Sequence, residues 1–192
     1  MGQDLDLLEI ENHCIRAAKQ VPSPNHNARP AGEMINLIVV HCISLPPGEF
    51  APETVESFFC NELPADAHPY FAEIAEMEVS SHLYIGRAGQ IIQFVPFDRR
   101  AWHAGQSCFN GRAGCNDFSI GIELAGADEV AYTEEQYATL IQVILSLHHA
   151  YPETELNPVM GHSDIAPGRK TDPGPAFDWA KLEAFGIQGP GG

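Results

Sequence analysis

Basic residues are scarce in this chain. Its 192 residues include 10 Lys and Arg against 26 Asp and Glu, a formal net charge of -16. Nucleic-acid binding relies on Lys and Arg to neutralise phosphates, so no nucleic-acid partner is expected. There is no run of about 18 apolar residues, so no membrane span is expected either. The opening segment MGQDLDLLEIENH is acidic. It has no basic stretch leading into an apolar one, which argues against a secretory signal. Asp6 stands where myristoylation would want Ser or Thr. Five cysteines lie at 14, 42, 60, 108 and 115. The number is odd and no CxxC pair occurs, so free thiols in a reducing compartment are expected rather than disulfides or a four-cysteine zinc site. Together these absences point to a cytoplasmic protein, expected to be a monomer.

What is present is 44% hydrophobic composition, enough for one globular domain with a core. No internal repeat is visible. The expected layout is an N-terminal arm over 1–20, one domain over 21–185 and a frayed tail over 186–192 (GIQGPGG). Ile35 to Val40 is a short β-branched run ending at His41, and it reads as a buried central strand. Val79–Ile85 and Ile91–Val95 flank a Gly-containing turn and read as a β-hairpin. Phe118–Leu124 and Pro158–His162 read as further strands, with Glu123 near the end of the first.

Helices are expected between the strands. Pro52 and Pro69 suit first helical positions. The clearest helix starts at Thr133, where Thr133 and Gln136 form a candidate capping box. Tyr137, Leu140, Ile141, Ile144 and Leu147 then make one apolar face, and the helix should stop before Pro152. Phe177–Phe185 reads as a short terminal helix. Strands interleaved with helices give an α/β domain on one central sheet.

The segment GHSDIAPGRKTDPGP (161–175) carries the chemistry. Pro167, Gly168, Pro173, Gly174 and Pro175 make it a stiff, shaped loop. A catalytic zinc needs about three protein ligands and one open position. His162 and Asp172 could supply two as the loop folds back, and His41, at a buried strand end, the third. Such an ion activates water for attack on an amide carbonyl. The reaction also needs a carboxylate to take a proton and a cation to stabilise the oxyanion; Glu123 and Lys170 fit these roles. Each residue has a blander reading. His41 could be a structural histidine, Asp172 a turn residue, Lys170 a solvated charge and Glu123 the partner of an arginine.

Four longer blocks narrow the choice: LIVVHCISLPPGEF (37–50), VPFDRRAWHAG (95–105), CNDFSIGIELAG (115–126) and GHSDIAPGRKTDPGPAFDW (161–179). In this order they resemble the zinc amidases that include phage lysozyme-type amidases and peptidoglycan recognition proteins. The likeness is strongest to the branch acting on 1,6-anhydro-muropeptides. It runs from Val21 to Trp179. It implies a central mixed sheet flanked by helices, one Zn2+ held by His41, His162 and Asp172, Glu123 as general base, and Lys170 beside the tetrahedral intermediate. The implied reaction is hydrolysis of the amide between (1,6-anhydro-)N-acetylmuramic acid and L-alanine during cytoplasmic cell-wall recycling.

Expectations for substrate binding fall on four residues. Trp102 offers an apolar face for the sugar. His103 reads equally as structural or binding. Cys42 stands where such amidases commonly carry an Asn that meets substrate, and a thiol is the poorer donor. Glu78 and Gly114 stand where relatives can carry arginines for the diaminopimelate carboxylate, and Arg112 is the candidate replacement. Three rival readings share parts of this evidence: an exported amidase acting on intact wall, a binding module without metal, and a zinc peptidase with another amide substrate.

Overall fold

The computed structural model describes residues 6–152 and 158–190. Among these, the first strands are β1 (Ile10–Glu11), β2 (Cys14–Ile15), β3 (Lys19–Gln20), β4 (His26–Ala28) and β5 (Leu37–Ile43). Then come β6 (Leu83–Ile85), β7 (Ile91–Gln93), β8 (Arg99–Ala101), β9 (Cys108–Phe109), β10 (Arg112–Ala113), β11 (Ser119–Ala125) and β12 (Val159–Gly161). The helices are α1 (Pro52–Phe59), α2 (Pro69–Ile74), α3 (Glu134–Ala150), α4 (His162–Ile165) and α5 (Ala180–Glu183). The main sheet has six strands in the order β12-β5-β11-β6-β7-β3. It is mixed: only the β6–β7 hairpin is antiparallel within it.

β5 and β11 are the framework of the site. They pair in parallel over seven residues, with Leu37 opposite Ser119 and His41 opposite Glu123. Side chains alternate along each strand. Ile38, Val40, Ile120, Ile122 and Leu124 face α3 and pack with Leu140, Ile141, Ile144 and Leu147. Leu37 and Val39 face the other way, into a smaller cluster with Ala104, Cys115, Phe118 and Ile165. His41 and Glu123 continue that second series, which brings them side by side on the face away from α3.

The helix α3 forms as its sequence directs. Thr133 Oγ1 accepts the Gln136 N–H at 3.1 Å, and Gln136 Oε1 accepts the Thr133 N–H at 3.2 Å. Gln136 does more than cap. Its side chain is buried, and Nε2 donates to Ile85 O and Ala125 O, the ends of β6 and β11. Gln136→Leu therefore takes the side-chain donor from Ile85 O and the acceptor from the Thr133 N–H, and leaves Ala125 O with the longer bond from Arg87 Nη1 at 3.3 Å. It should lower unfolding stability by about 2–4 kcal/mol, read by denaturant titration.

Several boundaries differ from those read in the sequence. The strand expected to end at His41 continues to Ile43. The terminal helix is confined to Ala180–Glu183. Within the segment expected to be an arm, Ile15 is fully buried in the main core and β3 adds to the sheet beside β7. Part of the segment expected to be a tail packs against the domain. Gly186, at φ 76°, turns the chain after α5, so that Ile187 is buried and Gln188 O accepts the Val159 N–H at 3.0 Å. Residues 191–192 lie outside the described part.

Candidate metal centre and active site

His41 comes from β5, and His162 follows β12 as the first residue of α4. Asp172 comes from the loop after α4. That loop returns because backbone and side chains tie it down. Ser163 N–H donates to Asp172 O at 3.0 Å, Tyr132 Oη donates to Pro173 O at 2.7 Å, and Ala176 N–H donates to Asp128 O at 3.0 Å. Arg169 reaches across to donate to Ala104 O at 2.6 Å.

The result is a tight triad. His41 Nδ1 and His162 Nδ1 are 2.9 Å apart, and Asp172 Oδ2 lies 3.0 Å from the first and 3.1 Å from the second. His162 Nε2 sits 3.1 Å from Ala104 O, which can only accept. The proton is therefore on Nε2, and the Nδ1 lone pair faces the Asp172 carboxylate. Two acceptors facing each other at this distance repel unless a cation lies between them. Burial drives the His41 pKa down to about 4, against the opposing pull of Asp172, so this imidazole is neutral at neutral pH. Two imidazole nitrogens and one carboxylate oxygen form a donor set that suits zinc. Among the described residues these three make up the group of His, Cys, Asp and Glu able to hold a metal ion.

Glu123 stands beside the triad. Its Oε2 is buried and has no hydrogen-bond partner among the described residues. Burial, reinforced by the Asp172 charge, pushes its pKa well above the ordinary carboxylate value, with Lys170 opposing. A carboxyl so placed can accept and return a proton near neutral pH. The triad, Glu123 and Lys170 all line one cleft of about 620 Å³.

The other expected residues divide. Trp102 lines the cleft, and its indole N–H is spent on Asn27 Oδ1 at 2.9 Å, so it offers the cleft an apolar ring. His103 also lines the cleft, but both ring nitrogens are engaged, Nδ1 by His41 at 2.9 Å and Nε2 by Ser119 at 3.0 Å. It has no hydrogen bond left for a substrate. Cys42 lines the cleft with its thiol near Asp128. Burial, with the carboxylates around it, pushes that thiol up to about 12. It therefore stays protonated, and a thiol is a weak ligand compared with a thiolate.

Arg112 is not brought to the cleft. Its guanidinium lies 3.9 Å over the Phe118 ring and pairs with Glu33. Glu78 and Gly114 are likewise absent from the lining, although Met77 and Val79 on either side of Glu78 belong to it. The sequence reading missed the far wall, where Phe58 from α1 and Tyr70 and Ile74 from α2 face the cleft. Three other histidines have structural partners. His82 is fully buried in hydrogen bonds to the Arg99 carbonyl and the Gly121 amide, His68 caps α2, and His13 bonds Tyr151.

The family model described as N-acetylmuramoyl-L-alanine amidase matches residues 31–175. The chain is 54% identical to the 1,6-anhydro-N-acetylmuramyl-L-alanine amidase AmpD of Escherichia coli (strain K12), over 92% of this chain and 96% of that one. A crystal structure of a selenomethionine AmpD derivative superposes with a TM-score of 0.89 at 50% identity, covering 92% of this chain and 98% of that one. The amidase AmiD of E. coli, solved in complex with anhydro-N-acetylmuramic acid-L-Ala-D-gamma-Glu-L-Lys, matches with a TM-score of 0.57 at 28% identity, covering 83% of this chain and 61% of that one. The chain thus belongs to the N-acetylmuramoyl-L-alanine amidase family, and it is an amidase of that type.

Proposed function

We propose that the protein is a zinc-dependent amidase of cytoplasmic cell-wall recycling, acting on the bond between 1,6-anhydro-N-acetylmuramic acid and L-alanine of muropeptides. The observation that carries this reading is the convergence of His41 Nδ1, His162 Nδ1 and Asp172 Oδ2 beside an unpartnered buried carboxyl, Glu123. The preference for the anhydro sugar is supported by the activity for which the AmpD relatives are named and by the ligand held by AmiD.

Zinc in this triad would supply a Lewis acid and lower the pKa of water to about 7. The chain's own residues do the rest. Glu123 takes the proton from the attacking water and returns it to the leaving alanine nitrogen. Lys170 faces the charge that develops on the lactyl carbonyl oxygen. Trp102 gives the sugar an apolar surface, and the wall of Phe58, Tyr70 and Ile74 borders the space left for the rest of the substrate. No helix among the described residues is long and apolar enough to cross a membrane.

Incubation with a 1,6-anhydro-muropeptide followed by mass spectrometry tests the reading directly. The expected products are the free anhydro sugar acid and a peptide beginning with L-alanine. A chelator should stop their formation and added Zn2+ should restore it. Uncut anhydro-muropeptide, with intact wall fragments cleaved instead, would overturn the recycling assignment. Turnover indifferent to chelator would overturn zinc dependence.

A further inference from the structure

We propose that His103 is a positioning residue for the metal site, holding His41 in the tautomer whose Nδ1 lone pair faces His162 and Asp172. The inference rests on the reading of that triad as a metal site. It follows from a chain of hydrogen bonds whose direction is set at its far end.

That end is the Cys115 carbonyl, which can only accept. Ser119 Oγ lies 2.6 Å from it, so the hydroxyl hydrogen is committed there. Ser119 then presents a lone pair to His103 Nε2 at 3.0 Å, which places the His103 proton on Nε2. An imidazole with its single hydrogen on Nε2 keeps a lone pair on Nδ1. Nδ1 of His103 is therefore an acceptor. It lies 2.9 Å from His41 Nε2, so that nitrogen carries the hydrogen and His41 Nδ1 is left bare. His162 reaches the same tautomer by a shorter route, through the Ala104 carbonyl. The two metal-facing imidazoles are thus set by different means, one by fixed backbone and one by a relay of side chains. Metal-ligating histidines depend on such outer partners for tautomer and ring orientation.

The packing around His103 is built for this ring. Its backbone is pinned, since the amides of His103 and Ala104 both donate to Asn116 Oδ1, at 3.1 and 2.7 Å. Beneath the ring lies Gly121, in the interior of β11. A Cβ there would stand 2.4 Å from His103 Cγ and 2.6 Å from Nδ1, so no larger residue fits without displacing the imidazole. Glycine inside a paired strand gives up packing, and close approach of another group is the usual reason. Ser119, Gly121 and Glu123 alternate onto one face of β11. That face supplies the relay's anchor, the seat of its ring and the carboxyl beside the triad.

The test uses the full chain and separates this inference from the metal-site reading. Long-range 15N–1H NMR on the metal-free protein should show His41 and His103 with the proton on Nε2. A His103 protonated on Nδ1 overturns the proposal whatever the protein does with zinc. Zn2+ affinity, measured by competition with a chromophoric chelator, should fall about 10–100-fold in H103L. H103N puts an amide oxygen where Nδ1 stood and should recover affinity to within about threefold of wild type. S119A leaves His103 free to change tautomer, and should weaken Zn2+ binding about tenfold and mix the two His103 tautomers. Thermal melts of the metal-free variants report whether each is folded. Equal affinity in H103L and wild type, or an H103N as weak as a folded H103L, would overturn the positioning role. A wild-type protein that bound no Zn2+ would overturn the metal-site reading itself, and the proposal with it.

Discussion

His162→Ala should eliminate tight Zn2+ binding and lower muropeptide hydrolysis by on the order of a thousandfold or more. The substitution removes one of three donors whose atoms lie within 3.1 Å of each other, leaving His41 Nδ1 and Asp172 Oδ2. Two protein donors do not make the three-ligand set typical of catalytic zinc. The fold should survive the change. Ala104 O, which loses the His162 N–H, keeps its bond from Arg169, and the turn of α4 is closed by the backbone bond from Ala166 N–H to residue 162. Elemental analysis and turnover of the same preparation provide the check. A variant that kept both its zinc and its rate would remove His162 from the site.

Local chemistry made much of this molecule readable in its sequence. The Thr133–Gln136 box, the prolines at the starts of α1 and α2, and the Gly-containing turn between β6 and β7 are all signals acting within a few residues. The candidate site residues of the 161–175 loop stood out for a different reason: a stretch rich in Pro and Gly that still carries His162, Lys170 and Asp172 has little to gain structurally from them. What stayed hidden depends on pairing between distant segments. That Glu123 lies opposite His41 is a matter of β5–β11 register, which neither strand encodes alone. Arg112 looked like a free cation because Phe118 and Glu33, which hold it, meet it only in the folded chain. The apolar wall from α1 and α2 has the composition of ordinary core, and only the folded chain shows that it borders a cleft. Gly121 was the one overlooked local clue, an isolated glycine inside an otherwise regular strand pattern.

Glu123→Gln should cut turnover by about 100-fold or more while making the metal-free protein more stable. The two effects have one cause. Glu123 is held in a buried position with an oxygen that no described residue satisfies, and burial, followed by the Asp172 charge, raises its pKa well above the ordinary value. An unfolded chain would let the same carboxyl ionise near pH 4.3. The folded state is therefore favoured by protonation. That contribution is fully present below about pH 4 and is lost as the pH rises through the raised folded value. An amide of the same shape carries no charge to desolvate, so the variant escapes the loss. Metal-free wild type and E123Q should melt at similar temperatures in acid. Toward neutral pH E123Q should melt several degrees higher, since relief of about 1–3 kcal/mol corresponds to roughly 2–4 °C per kcal/mol in a domain of this size. Zn2+ binding should be retained, because Glu123 is not among the three converging donors. A base used in catalysis must be held where it is least content as an anion, and the strand that holds it gives up stability to do so. If E123Q were both less active and less stable at neutral pH, Glu123 would instead be a structural carboxyl, with a partner supplied by bound water or substrate.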